Sequence, residues 1–218
     1  MSGLVFRRAT LADLDFVATA IIEAERSGTG HTVYERVFDL PPDALRALVE
    51  SLLREEIPGS ELCCDNFVLA LADGAPVGGI ATWIEAQGNP PSSIVRANML
   101  AWALGAERWR AAQSRLQLLA AVDVPRAAGA LQVESVYVVP SHRGGGVTRA
   151  IIEHAIAECR AAQPEVEKAQ ILSVVENEPS RRAFSRAGFT IARRIQSESP
   201  ELAALFPGTG RLLWERSI

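Results

Sequence analysis

Short alternating or continuous apolar stretches at 4–6, 67–72, 77–85, 131–139, 169–175, 189–195 and 211–214 predict seven strands. Between them the apolar spacing is helical. Leu14, Val17, Ala18, Ile21 and Ile22 mark one face over 10–25; Leu45, Leu48, Val49, Leu52 and Leu53 mark another from Pro42 or Asp43; Ile151, Ile152, Ala155 and Ile156 mark a third over 147–159. Thr10 with Asp13 three residues on is a capping box for the first helix, and Pro58-Gly59 stops the second. Asn177 caps a helix over 180–187 that ends at Gly188. Asp73-Gly74 joins two strands in a hairpin that Ala75-Pro76 lengthens.

Three segments lack such order. Residues 27–40, with Gly28, Gly30, His31, Tyr34 and Phe38, read as a loop with one turn, the kind of segment that lines pockets. Residues 87–93 break the pattern at Gly88, Asn89, Pro90 and Pro91, and the Ala-rich stretch 94–122 then reads as one bent helix or two. A polar, Pro-bearing excursion occupies 197–210. The element order is mixed α and β, with hairpins early and a βαβα unit late.

Composition removes several classes of function. The chain has 218 residues, 48% hydrophobic, with a formal net charge of −4. At that length a core needs neither disulfide nor metal. No apolar run approaches the ~20 residues of a membrane-spanning helix, and the first ten residues lack the basic, apolar, small-residue succession of a secretion signal. Cys63, Cys64 and Cys159 have no CxxC spacing and fit reduced thiols in a cytoplasm. A pI near 5.5 without a basic run gives no footprint for nucleic acid. Lys168 is the only lysine, so a GxxxxGK[ST] phosphate loop is excluded and Schiff-base chemistry is disfavoured. No histidine has metal-ligand spacing, so no metal is expected.

The chemical signal lies in Val136-Tyr137-Val138-Val139-Pro140-Ser141-His142-Arg143-Gly144-Gly145-Gly146-Val147-Thr148. Glycines between a strand and a helix allow close backbone approach, and the first helical amides have no internal partner. Such amides, with the helix dipole and the Arg143 cation, suit a pyrophosphate. Taken alone, the glycine run equally suits a flexible turn.

The loop is followed by Asn177-Glu178-Pro179-Ser180-Arg181-Arg182-Ala183-Phe184-Ser185-Arg186-Ala187-Gly188-Phe189, and the chain opens with Phe6-Arg7-Arg8-Ala9-Thr10 and Asp13. Together these resemble the GNAT superfamily of N-acetyltransferases, whose strand-loop-helix and NxxAxxxYxxxGF patterns they follow. The resemblance implies one domain over 1–218: a mixed, mostly antiparallel twisted sheet, helices on both faces, and a helical insertion at about 87–128 between strands 3 and 4. It also implies acetyl-CoA as co-substrate. The pyrophosphate would lie on Arg143, Gly144, Gly145, Gly146, Val147, Thr148 and Arg149. Val136, Tyr137, Val138, Asn177 and Phe184 would line the pantetheine arm, in a slot opened by a bulge where two strands splay. Thr148 replaces the family's small residue and can itself donate to a phosphate. The coenzyme assignment requires residues 143–148 to present unpaired N–H groups.

Acetyl transfer to an amine needs a base, and Glu134 is the candidate. Strict alternation puts Glu134, Val136 and Val138 on one strand face and Tyr137 on the other. An exposed or ion-paired strand glutamate is the plain alternative. The family's acidic tyrosine falls at Phe184, which has no proton to give, leaving Tyr34 as the candidate acid. Asn177 suits helix capping as well as a coenzyme contact. The resulting expectation is direct transfer to a primary amine, on a small molecule or a peptide; a catalytically degenerate acyl-CoA sensor is the alternative. The insertion could cover the pocket, pack on the sheet or join a homodimer.

Overall fold

A computed structural model describes residues 3–88 and 90–218. Met1, Ser2 and Asn89, which the sequence assigns to the opening run and to the break at 87–93, lie outside the described residues. The strands are β1 (Val5–Arg8), β2 (Phe67–Ala72), β3 (Ala75–Ile84), β4 (Leu131–Val138), β5 (Lys168–Val174), β6 (Thr190–Gln196) and β7 (Gly210–Ser217). They form one sheet in the order β1-β2-β3-β4-β5-β7-β6. Only β4 and β5 pair in parallel among the described residues.

Helices α1 (Leu14–Arg26), α2 (Val33–Phe38), α3 (Pro42–Leu53), α4 (Ser92–Ala111) and α5 (Gln113–Leu119) cover one face. Helices α6 (Val147–Ala162) and α7 (Glu178–Arg186) cover the other, and α8 (Pro200–Ala203) sits in the loop before β7. The periodicity explains the packing. Val17, Ala18 and Ile21 of α1 are sealed on the first face, as are Ile151 and Ile152 of α6 on the second. Burying a valine or isoleucine side chain stabilises by about 2 kcal/mol. No helix among the described residues is long and apolar enough to cross a membrane.

The insertion between β3 and β4 is helical as expected and resolves into α4 and α5. It bends at Gly105, whose φ of 76° is outside helical space. The segment read as a loop around Tyr34 instead contains α2. Thr32 and Glu35 close a capping box on it, the Thr32 hydroxyl accepting from the Glu35 amide at 3.1 Å and the Glu35 carboxylate accepting from the Thr32 amide at 2.6 Å.

Two glycines bring the layers together where the site forms. A Cβ on Gly78 would meet Val147 Cγ1 at 2.9 Å, and one on Gly79 would meet Phe16 and Leu69 at 3.2 Å. Both stand opposite the end of β4, Gly78 beside Val138 and Gly79 beside Tyr137. Their lack of side chains lets α6 and α1 press onto the sheet there.

Candidate active site

The site begins where β4 leaves β5. Their parallel pairing covers Leu131, Gln132 and Val133 and then stops at Val133 opposite Ile171. Beyond it, Ser135 takes φ 50°, and β4 carries one more residue than β3 between the pairs Ala81–Glu134 and Gly79–Tyr137. This is the expected bulge, and it turns β4 away from β5. A cavity of about 830 Å³ opens between the diverging strands.

The same bulge corrects one expectation. Glu134 pairs with Ala81 and Tyr137 with Gly79, two positions of β3 that share a face. Glu134 and Tyr137 therefore face the α1 side, whereas Val136 and Val138 pack with the α6 side. The strict alternation that grouped Glu134 with Val136 and Val138 fails because the extra residue resets the parity.

At one end of the cavity lies the glycine loop. Gly144 and Gly146 have φ of 79° and 84°, values that L side chains adopt only with strain. The Arg143 amide turns back to the Pro140 carbonyl at 3.3 Å, so that residue departs from the expectation of a free N–H. From 144 to 149 no amide donates to any group among the described residues, and the first helical bond runs from Ala150 N–H to Gly146 carbonyl at 3.0 Å. Six free donors thus meet the positive end of a 16-residue helix. The Arg143 side chain is anchored by Nε donating to the Val138 carbonyl at 2.9 Å and by its guanidinium 5.9 Å from the Tyr137 ring centre. Arg149, Arg182 and Arg186 also line this end. The residues present fit a diphosphate.

The middle of the cavity is lined by Val136, Val138, Ser173, Asn177 and Phe184. Asn177 caps α7, its side-chain carbonyl accepting from the Ser180 amide at 3.2 Å. Phe184 is buried and meets Trp214 edge-on at 6.2 Å. Its ring is therefore part of the core on the α6 side as well as of the cavity wall.

The far end is charged. Glu134 accepts from Arg126 at 3.0 Å, with side chains only 16% and 9% exposed, and Glu61 accepts from Arg96 at 2.8 Å. Arg126 also lies over the Trp83 ring at 5.7 Å. Burial pushes the Glu134 carboxyl above its ordinary range, against the opposing pull of Arg126. Burial likewise raises Glu25, whereas at Glu61 the charges of Arg96 and Arg126 outweigh burial and hold the carboxyl low. Arg211 is pulled down by burial.

Five of these groups, Glu25, Glu61, Arg96, Arg126 and Arg211, carry no sequence motif, because six different segments supply the six charges. The available signal was a charge inside an otherwise apolar stretch, as with Glu61 before Leu62-Cys63-Cys64. The helical insertion delivers two of them, Arg96 from α4 and Arg126 from its return to β4.

Tyr34 does not stand in the cavity wall. It stacks on Phe38 at 6.4 Å and abuts the charged end from α2, where burial pushes its phenol up. Tyr137 is the tyrosine that lines the cavity. His142 also lines it, and His154 instead stacks on Phe6 at 4.7 Å.

Among the curated proteins no sequence significantly matches this chain. Its fold is shared with solved structures. A polyamine N-acetyltransferase of Drosophila melanogaster, which catalyses formation of N-acetylagmatine, aligns over 99% of this chain and 100% of its own at 13% identity and TM-score 0.60. An N-acetyltransferase of Staphylococcus aureus Mu50 aligns over 97% and 100% at 14% identity and TM-score 0.59. The aminoglycoside acetyltransferase AAC(6')-Ib, in complex with coenzyme A, aligns over 99% and 95% at 15% identity and TM-score 0.51. The model of the acetyltransferase (GNAT) family matches residues 34–189, and with most of the sheet and the whole glycine loop inside that match, the chain belongs to the GNAT acetyltransferase family.

Proposed function

We propose that this acetyltransferase moves the acetyl group of acetyl-CoA directly to a primary amine, with all of 1–218 acting as one catalytic domain and the insertion at about 87–128 forming part of the acceptor site. The observation that carries the reading is the pairing, in one cavity, of a cradle of unpartnered amides over 144–149 with a buried glutamate, Glu134, beyond it.

The coenzyme's diphosphate takes the amides of Gly144, Gly145, Gly146, Val147, Thr148 and Arg149, with the Arg143 guanidinium as counter-charge. The arm then runs past Val136, Tyr137, Val138 and Asn177, with Phe184 as an apolar wall. Backbone polar groups of β4 left without a β5 partner after Val133 are available to the arm's amides. Acetyl-CoA supplies a thioester whose carbonyl carbon accepts the amine nitrogen as the C–S bond breaks.

Glu134 takes the proton that the attacking ammonium must lose, directly or through water. A carboxyl raised by burial is better matched to that task near neutral pH than an ordinary one. Tyr34, the acid suggested by sequence, is a poorer proton donor for being buried and upshifted. A coenzyme thiol with a pKa near the free-thiol value of ~8.5 leaves as thiolate without an obligatory acid.

Thiol release from acetyl-CoA across a panel of primary amines tests the reading, with coenzyme A binding measured alongside. Release with at least one amine supports it. Tight coenzyme binding with no release from any amine would assign the chain to acyl-CoA sensing instead.

A further inference from the structure

The charged end of the cavity narrows the acceptor. Four of its six ionisable groups are matched, as Glu61 with Arg96 and Glu134 with Arg126. Two are left over. Glu25, in the last turn of α1, makes no ion pair or hydrogen bond among the described residues. Arg211, at the start of β7 and 24% exposed, has one ion-pair partner among the described residues, Asp123, at 3.9 Å and itself largely in solvent. Both line the cavity and each lies within the other's field, yet they do not close on each other. The Arg211 guanidinium is kept in place over Phe206, 5.1 Å from the ring centre.

A half-buried guanidinium that faces a ligand space with only a long ion pair to a solvent-exposed carboxylate keeps donors free for a ligand, and its two-pronged fork is what a carboxylate matches. The balance of charge agrees. A fourth carboxyl in the lining, Glu23, is neutralised by Arg26 at 2.6 Å, and the other three carboxyls face three guanidiniums, so there is no surplus of negative charge to receive a polycation. A separated carboxyl and guanidinium across one space are the complement of a molecule carrying both signs.

We propose that the acceptor is an amine bearing its own carboxylate, in the manner of an amino acid, with the amine facing Glu25 and Glu134 and the carboxylate held by Arg211. This rests on the acetyltransferase reading above. Arg211 is then a specificity-determining residue.

The test compares amino acids with their decarboxylated amines, such as lysine with 1,5-diaminopentane and phenylalanine with 2-phenylethylamine, by thiol release from acetyl-CoA with the full chain. The carboxylated member of a pair is expected to have the higher kcat/KM, by ~30-fold or more, as for a desolvated charge pair. Arg211→Gln should collapse that ratio towards one by slowing only the carboxylated member, with coenzyme A affinity unchanged. Glu25→Gln should slow both members alike. If R211Q fails to bind coenzyme A, R211K replaces it and should keep part of the preference. Turnover that favours the decarboxylated amines, or an R211Q variant that slows both members equally, overturns the inference and leaves the acetyltransferase reading standing. Coenzyme binding without thiol release from any amine overturns that reading and the inference with it.

Discussion

Glu134 and Tyr137 project from the same face of the sheet although they are three residues apart in one strand, because Ser135 is inserted at φ 50°. The bulge that splays β4 from β5 is also what aims the glutamate into the cavity. A serine in left-handed space costs about 1 kcal/mol relative to glycine, and a β-branched side chain costs more. Ser135→Gly should therefore leave turnover intact and match or raise stability by up to ~1 kcal/mol, whereas Ser135→Val should lose ~1–2 kcal/mol and turnover with it. Urea unfolding and steady-state kinetics on the two variants check this. An S135V variant as stable and active as the parent would mean that the bulge does not set the orientation of Glu134.

The Glu134–Arg126 pair yields a pH prediction. Burial raises the glutamate's pKa and the Arg126 charge lowers it, with burial prevailing. In the proposed role as base Glu134 works as the carboxylate, so kcat/KM should fall on the acid side through a pKa above the ordinary glutamate value. Arg126→Gln removes the lowering influence, so this limb should move to higher pH. Glu134→Gln should abolish the limb and cost about 100-fold or more in turnover, as for loss of a general base. A profile for R126Q that superimposes on the parent's would separate the pair from catalysis.

Arg143 is held by its own backbone contact, Nε on the Val138 carbonyl at 2.9 Å, and so presents its remaining N–H groups in a set direction. Losing one charge-assisted contact to a phosphate is worth about 1.5–3 kcal/mol. Arg143→Ala should weaken coenzyme A binding by ~10–100-fold in isothermal titration, with the acceptor KM little changed. An unaltered coenzyme affinity would remove this residue from the phosphate site.

How far the sequence discloses the site depends on where its information is stored. Strand and helix placement, the insertion between β3 and β4 and the glycine loop follow from local periodicity and turn chemistry, and they emerge within one or a few residues of their observed bounds. Helix α2 was legible in principle, since Thr32 and Glu35 spell a capping box, but only Val33, Tyr34, Val37 and Phe38 mark its apolar face. The parity of Glu134 was not legible, because nothing in Val133-Glu134-Ser135-Val136 announces an extra residue. Nor was the partnership of Glu25, Glu61, Arg96, Arg126 and Arg211, which exists only after α1, α4, β7 and the segments leading into β2 and β4 have come together.

At the other end of the sheet, Asp13 joins β1 to the start of α1. Its carboxylate accepts two bonds from the Arg7 guanidinium at 2.7 Å each and one from the Thr10 amide at 3.0 Å. The bonds from Arg7 chiefly, and then that from Thr10, hold its pKa below the ordinary aspartate value, with burial opposing. A carboxyl depressed in the folded state contributes stability that is complete above the unfolded pKa of ~3.9 and is lost as pH falls through the lower folded value. Arg7 is 42% exposed, so solvent screens the pair and the contribution is kept to that of a helix cap with a modest ionic supplement, about 1–2 kcal/mol. Asp13→Ala should be less stable than the parent by this amount at pH 7, and the gap should shrink as pH falls below about 4. Urea midpoints of parent and D13A across pH 3–7 check it; a gap that stays constant down to pH 3 would mean that Asp13 acts through packing and not through its charge.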